Sequence, residues 1–94
     1  MFFTSTALTV TLLKRSFMEQ ELLKRITIIP GLMGGKPTIR GMRFPVKDIL
    51  ELLSSGMNNA EILEEHPALE EDDIKAALLY AALKVSNTTI LHAA

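Results

Sequence analysis

Cysteine and tryptophan are both absent from this 94-residue chain, and aromatic residues make up only 5% of it. Without cysteine there is no disulfide framework and no thiolate metal site, which fits a reducing compartment, and a cytoplasmic protein is expected. Histidine is scarce as well. The two present, His66 and His92, lie far apart in sequence, and neither has a second ligand at useful spacing. No Ser-His-Asp or Cys-His constellation can be assembled from so few groups, so neither an enzyme nor a cofactor is expected. A long hydrophobic run is also missing. The apolar stretch Ala7–Leu13 falls well short of the roughly 20 residues that span a bilayer. Lys14 and Arg15 follow it, whereas a secretory signal has its positive charge first, so no membrane association is expected.

What is present is aliphatic. Hydrophobic residues make up 48% of the chain, enough for one small domain with a modest core of Leu, Ile and Ala contacts. The formal net charge is only -1, but it is unevenly spread. Residues 1–47 hold eight of the ten Lys/Arg and two of the eleven Asp/Glu; residues 48–94 hold the other two and nine. Such a division suits two faces with different partners, or a basic face that meets the acidic end of a second copy. Solvated acidic helices would give the same count.

Along the chain, residues 1–17 read as an extension, 18–86 as the domain, and 87–94 as a tail; "MEQELLKRITIIP", from Met18, resembles a natural beginning. "EQELLKR" predicts a short helical turn. "RITIIP" is β-branched and closed by Pro30, so it predicts a strand. Lys36–Phe44 predicts a small hairpin or arm turning at Arg40-Gly41, with Gly34, Gly35, Pro37, Gly41 and Pro45 setting its geometry and Pro45 as first residue of a helix. That helix, "PVKDILELLSS", carries an apolar stripe of Val46, Ile49, Leu50 and Leu53, and Gly56 stops it. A second starts at Asn58 with a capping-box Glu61 and ends before His66-Pro67. The third runs from about Glu71 to about Val85, with Ile74, Ala77, Leu78, Ala81 and Val85 as the core stripe. Leu79, Tyr80 and Leu83 lie partly off it and, with Glu71 and Asp72, are candidates for binding a partner. The expected fold is mainly α: a trihelical helix-turn-helix with a short N-terminal β arm.

"GGKPTIRGMRFPV", Gly34–Val46, is the densest element chemically. As a phosphate-binding P-loop it fails: Gly31 to Gly35 is one residue too short, and Pro37 stands where a Ser or Thr would hold magnesium. Its basic residues Lys36, Arg40, Arg43 and Lys47 are candidate DNA contacts, since Arg holds phosphate or guanine bidentately. The alternative is architecture, with the arm paired across subunits. The start of the third helix, where a trihelical domain normally reads DNA, is Glu70, Glu71, Asp72 and Asp73, which phosphate would repel. Those carboxylates better suit the positive end of the helix dipole.

The segment from Ile26 to Ala82 resembles, in order, the small prokaryotic family called domain of unknown function 433. The pattern is a "GGKP-I-G-R-PV" arm, a helix, a glycine with a capped "EIL" helix ending in proline, and then "DI-AAL-YA". The resemblance implies a homeodomain-like three-helix fold. It also implies a VapB-type type II antitoxin paired with a PIN-like ribonuclease toxin. The small domain, the third helix apolar on more than one face and the oppositely charged halves predict a homodimer, and the basic arm makes operator DNA a candidate partner. Two residues depart from the pattern. Met42 stands where Thr is commoner, and Glu70 replaces the Ser or Thr that caps the third helix, which predicts a frayed start. A stand-alone DNA-binding regulator and an oligomerisation module are the competing expectations.

Overall fold

Four helices and one small antiparallel sheet make up the computed structural model, which describes residues 16–88. In chain order they are α1 (residues 16–23), β1 (Ile26–Thr27), a 3₁₀ turn (Met33–Gly35), β2 (Thr38–Ile39), α2 (Val46–Ser54), α3 (Asn59–Glu65) and α4 (Glu71–Thr88). Residues 1–15 of the expected extension, and residues 89–94 with His92, lie outside the described residues. The boundaries expected at Met18 and at residue 86 fall inside α1 and α4. Among the described residues no helix is long and apolar enough to cross a membrane.

The arm is a hairpin of very short strands. Arg40 (φ 46°) and Gly41 (φ 71°) both have positive φ, and the Met42 N–H donates to the Ile39 carbonyl at 2.8 Å, which is a type I′ turn. The Ile39 N–H donates to the Phe44 carbonyl at 3.0 Å and the Val46 N–H to the Pro37 carbonyl at 2.9 Å, so the ladder runs on into α2. Pro45 bridges Thr38 with extended φ/ψ of -68° and 148°. It therefore precedes α2 instead of opening it, because the hairpin ladder holds it extended until Val46. On its other edge β2 pairs with β1, Ile26 opposite Ile39 and Thr27 opposite Thr38. The two threonine hydroxyls lie 2.9 Å apart, which satisfies the fully buried Thr38.

The core sits where this sheet and α2, α3 and α4 converge. Ile39, Val46, Ile49, Ile62, Leu69, Ile74 and Ala77 are buried together. The α3 start is as its sequence predicts: Glu61 N–H donates to Asn58 Oδ1 at 2.8 Å and Asn58 N–H to Glu61 Oε1 at 2.9 Å. On α4 the predicted stripe holds only in part. Ile74 and Ala77 are fully buried, but Leu78 is 47% and Val85 66% exposed, while Ala76 and Asp73 are fully buried. The inner face is centred on Asp73, Ala77 and Tyr80. From Ala82 to Ser86 every residue is exposed, so the last turns extend beyond the core that would have covered Val85.

Candidate functional site

At the first turn of α4 a carboxylate is taken wholly out of water. The Asp73 side chain has 0% exposure and gathers donors from three parts of the chain. Arg40 Nε donates to Oδ1 at 3.1 Å and an Arg40 terminal nitrogen to Oδ2 at 2.8 Å, the paired geometry that makes guanidinium–carboxylate contacts strong. Arg25, between α1 and β1, donates to Oδ1 at 3.0 Å, and the Glu70 amide donates to Oδ2 at 2.8 Å. Arg25 also donates to Glu70 Oε1 at 2.7 Å, and Arg40 to the Ala68 carbonyl at 2.8 Å. The Arg40 amide meets the Arg25 carbonyl at 2.8 Å, which ties the two arginines through the backbone.

This cluster explains one feature of the arm and one of α4. An arginine in the left-handed region costs about 1–2 kcal/mol, and Arg40 stays there because the turn aims its guanidinium at Asp73. Glu70, as a poor N-cap, predicts a frayed start to α4. Instead Asp73, three residues on, accepts from the Glu70 amide while its own amide donates to the Glu70 carbonyl at 2.9 Å, so the first turn is closed. Met42, the other departure from the family pattern, is half-buried against the core.

Burial alone pushes the Asp73 carboxyl up. The hydrogen bonds from Arg40, the Glu70 amide and Arg25 outweigh it and hold the group below the usual carboxylate range. Donating to Glu70 and Asp73 raises Arg25, and donating to Asp73 raises Arg40. Because the folded carboxyl binds its proton less readily than the unfolded one, the stabilisation is present above the unfolded value near pH 4 and is lost as pH falls through the folded value. Urea unfolding of wild type and D73N should therefore differ most at neutral pH, and the gap should narrow as pH falls below about 4. A gap constant from pH 7 to pH 2.5 would show that Asp73 is not charged in the native state.

The other arm residues are placed differently. Lys36 and Arg43 are exposed and form no ion pair among the described residues. Lys47 is exposed, 3.5 Å from both Glu51 and Asp48, and the Glu51 charge leads in raising its ammonium. Gly34 and Gly35 shape the 3₁₀ turn, with φ of 70° and 79°; Pro37 lends its carbonyl to α2. The four candidate cations are thus not one cluster, since Arg40 turns inward. Arg25 was not singled out from sequence. Its partners lie 45 and 48 residues away, and only the paired strands bring it to α4.

Of the candidate partner residues, Glu71 is exposed and accepts from the Asn59 amide group at 2.9 Å; Asp72 is exposed, 3.7 Å from Arg25 and 4.0 Å from Lys75. Tyr80 is half-buried against the core, with Lys84 Nζ 5.5 Å from its ring centroid. Leu79 is half-buried and Leu83 is 43% exposed. Helical spacing sets Asp72, Leu79 and Leu83 in line along one flank of α4, while Tyr80 turns toward the core. Between the arm and the far half of α4 lies an open, almost wholly apolar groove of about 370 Å³, floored by Pro37, Pro45, Leu50, Tyr80, Ala81 and Val85. Among the described residues every buried side-chain nitrogen and oxygen has a hydrogen-bond partner, and no group of three or more His, Asp or Glu is placed to hold a metal.

The model of the family described as protein of unknown function, DUF433, matches residues 26–81, from β1 through most of α4. The chain belongs to this family. The match takes in Arg40, Glu70 and Asp73 and leaves out Arg25, one residue before it. An uncharacterized protein of Sinorhizobium fredii, y4eO, is 36% identical over 56 residues, which are 60% of this chain and 25% of that protein. The chain thus spans about a quarter of that relative's length. A crystal structure of a DUF433 member from Anabaena variabilis superposes with a TM-score of 0.62 at 27% identity, covering 89% of this chain and 84% of the other.

Proposed function

We propose that this family member is the antitoxin of a type II toxin–antitoxin system: a small homodimer that binds and neutralises a PIN-like ribonuclease and represses its own operon. In this reading it is a cytoplasmic binding protein without catalytic chemistry or a cofactor. The observation that carries it is the flank of α4, where exposed Asp72 and Leu83 lie in line with half-buried Leu79, and exposed Glu71 lies beside Asp72. An acidic and apolar surface of this kind competes with RNA for the basic groove of a nuclease, and inhibits without reacting.

The same reading takes α2, α3 and α4 as a homeodomain-like helix-turn-helix, in which the start of the third helix would ordinarily read DNA. Here that turn is spent on Arg25 and Arg40 and shows Glu71 and Asp72 outward. Phosphate contacts therefore fall to Lys36, Arg43 and Lys47, with Arg40 holding the turn that presents them. The exposure of Lys36 and Arg43 supports a second reading, a stand-alone transcription regulator. An oligomerisation module without either ligand is the third.

The test is co-expression with the product of the adjacent gene, one of the two carrying a tag. The antitoxin reading expects a complex that survives purification and cleaves no RNA. Binding to the upstream promoter without such a partner would replace it with the regulator, and neither would leave the oligomerisation module. Where promoter DNA is bound, R43A should lower affinity and flatten the dependence of log affinity on log salt by about one unit per lost phosphate contact.

A further inference from the structure

The small sheet has two edges, and they are guarded unequally. One edge is the return segment of the hairpin, which pairs with β2 and runs on into α2. It carries the exposed Arg43, and Pro45 has no N–H to offer. Charge and proline are the usual means by which a strand edge is closed to further pairing. The other edge is β1 with the extended residues that follow it, Ile28 and Ile29, and no such residue interrupts it before Pro30. Arg25, just ahead of β1, does not guard this edge, because its guanidinium is held by Asp73 and Glu70.

The backbone hydrogen bonds show what β1 offers. The Arg40 N–H donates to the Arg25 carbonyl at 2.8 Å, so Arg25 and Thr27 turn their polar backbone groups toward β2. Ile39, opposite Ile26, donates its own N–H to the Phe44 carbonyl and accepts from the Met42 N–H, both on its far side. Ile26 therefore points its N–H and C=O away from the sheet, and the strand period of two gives Ile28 the same orientation. None of these groups has a hydrogen-bond partner among the described residues. Beside them, Ile28 is 60% and Ile29 41% exposed. The edge is a row of unpaired donors and acceptors flanked by β-branched apolar side chains, which is the surface that takes up another strand.

We propose that this edge receives β1 of a second copy, antiparallel about a two-fold axis at Thr27. That register sets Ile26 of each copy opposite Ile28 of the other, so every outward N–H meets an outward C=O. Moving the axis to Ile28 would set Ile26 against Pro30, whose missing N–H leaves the Ile26 carbonyl unpaired. No like charges meet in the chosen register, since Arg25 falls opposite Ile29 and its guanidinium stays with Asp73. Both copies use the same edge, so the pairing closes at two, and the guarded return segments become the outer edges of the joined sheet. Arg43 then stays at the rim, where phosphate can reach it. This rests on the homodimer of the proposed function and names the surface that forms it.

The test is amide hydrogen exchange in the full chain, beside sedimentation equilibrium. Wild type should sediment as a dimer at about 100 μM. The Ile26 and Ile28 amides, unbonded within one copy, should exchange about tenfold or more slowly there than at a dilution that gives monomer. I28K puts a charge on the edge at an exposed position, so thermal unfolding of the dilute protein should hardly change. Its dimer dissociation constant should rise about tenfold or more. A dimer whose Ile26 and Ile28 amides exchange as fast as in the monomer, or an I28K dimer as tight as wild type, would overturn the edge pairing while self-association stands. Protection that appears only with the product of the adjacent gene would overturn the second copy as occupant and give the edge to a strand of that partner. A wild type that stays monomeric throughout would overturn both the edge pairing and the homodimer.

Discussion

The double substitution R25A/R40A is expected to destabilise the fold by about 4 kcal/mol at pH 7. Breaking a buried ion pair by removing one side costs about 3–5 kcal/mol, because the remaining charge stays buried without compensation. Here the remaining charge is Asp73, fully buried, and of its donors only the Glu70 amide would survive. For a domain of this size that is a large fraction of the total stability. R40A alone should cost more than R25A. Arg40 gives Asp73 two hydrogen bonds, whereas Arg25 gives one and shares its guanidinium with the exposed Glu70. The effects should not add, since both arginines serve one carboxylate. Urea unfolding of wild type, the single variants and the double variant measures this coupling. Adding D73L to the double variant should return part of the loss, because removing every charged partner together is far less costly than stranding one. No recovery would mean that the arginines act by packing.

The second large effect is expected at Ile74. It is fully buried in the same turn of α4 and packs with Ile39, Ile49 and Ile62. I74A removes three carbons and leaves a cavity among side chains that cannot easily collapse, for a loss of about 3 kcal/mol or more. L78A, one turn further on at a site the sequence pattern also assigns to the core, should change stability by about 0.5–1 kcal/mol, because Leu78 is 47% exposed. Thermal unfolding of the pair tests where the α4 face lies. Equal losses would restore the simple apolar stripe.

The contrast between those residues shows what the sequence carried. Local chemistry was legible: the Asn58–Glu61 box, the stop at His66-Pro67 and the turn at Arg40-Gly41 each rest on residues at most a few positions apart. The α4 register was less so. Periodicity finds an apolar stripe, but it cannot tell that the helix outruns its core after Ala81, or that a carboxylate sits on the inner face. Arg25, Arg40 and Asp73 were the least legible of all. Arg40 reads as a free cation on a basic arm, and Asp73 as one of four acidic residues at a helix start. Only strand pairing and the left-handed turn bring them together, and those contacts span 33 to 48 residues.

In the proposed antitoxin role, inhibition turns on the acidic flank of α4. The direct measurement is RNA cleavage by the proposed PIN-like partner, purified and titrated with wild-type protein and with D72K/L83D, both changes lying on exposed α4 positions. The account predicts that cleavage is abolished near one equivalent of wild type, and that the double variant, equally well folded by thermal unfolding, needs about tenfold more or fails to inhibit. Full nuclease activity in excess wild-type protein would contradict the antitoxin reading, and inhibition by the variant equal to wild type would remove α4 as the surface that delivers it.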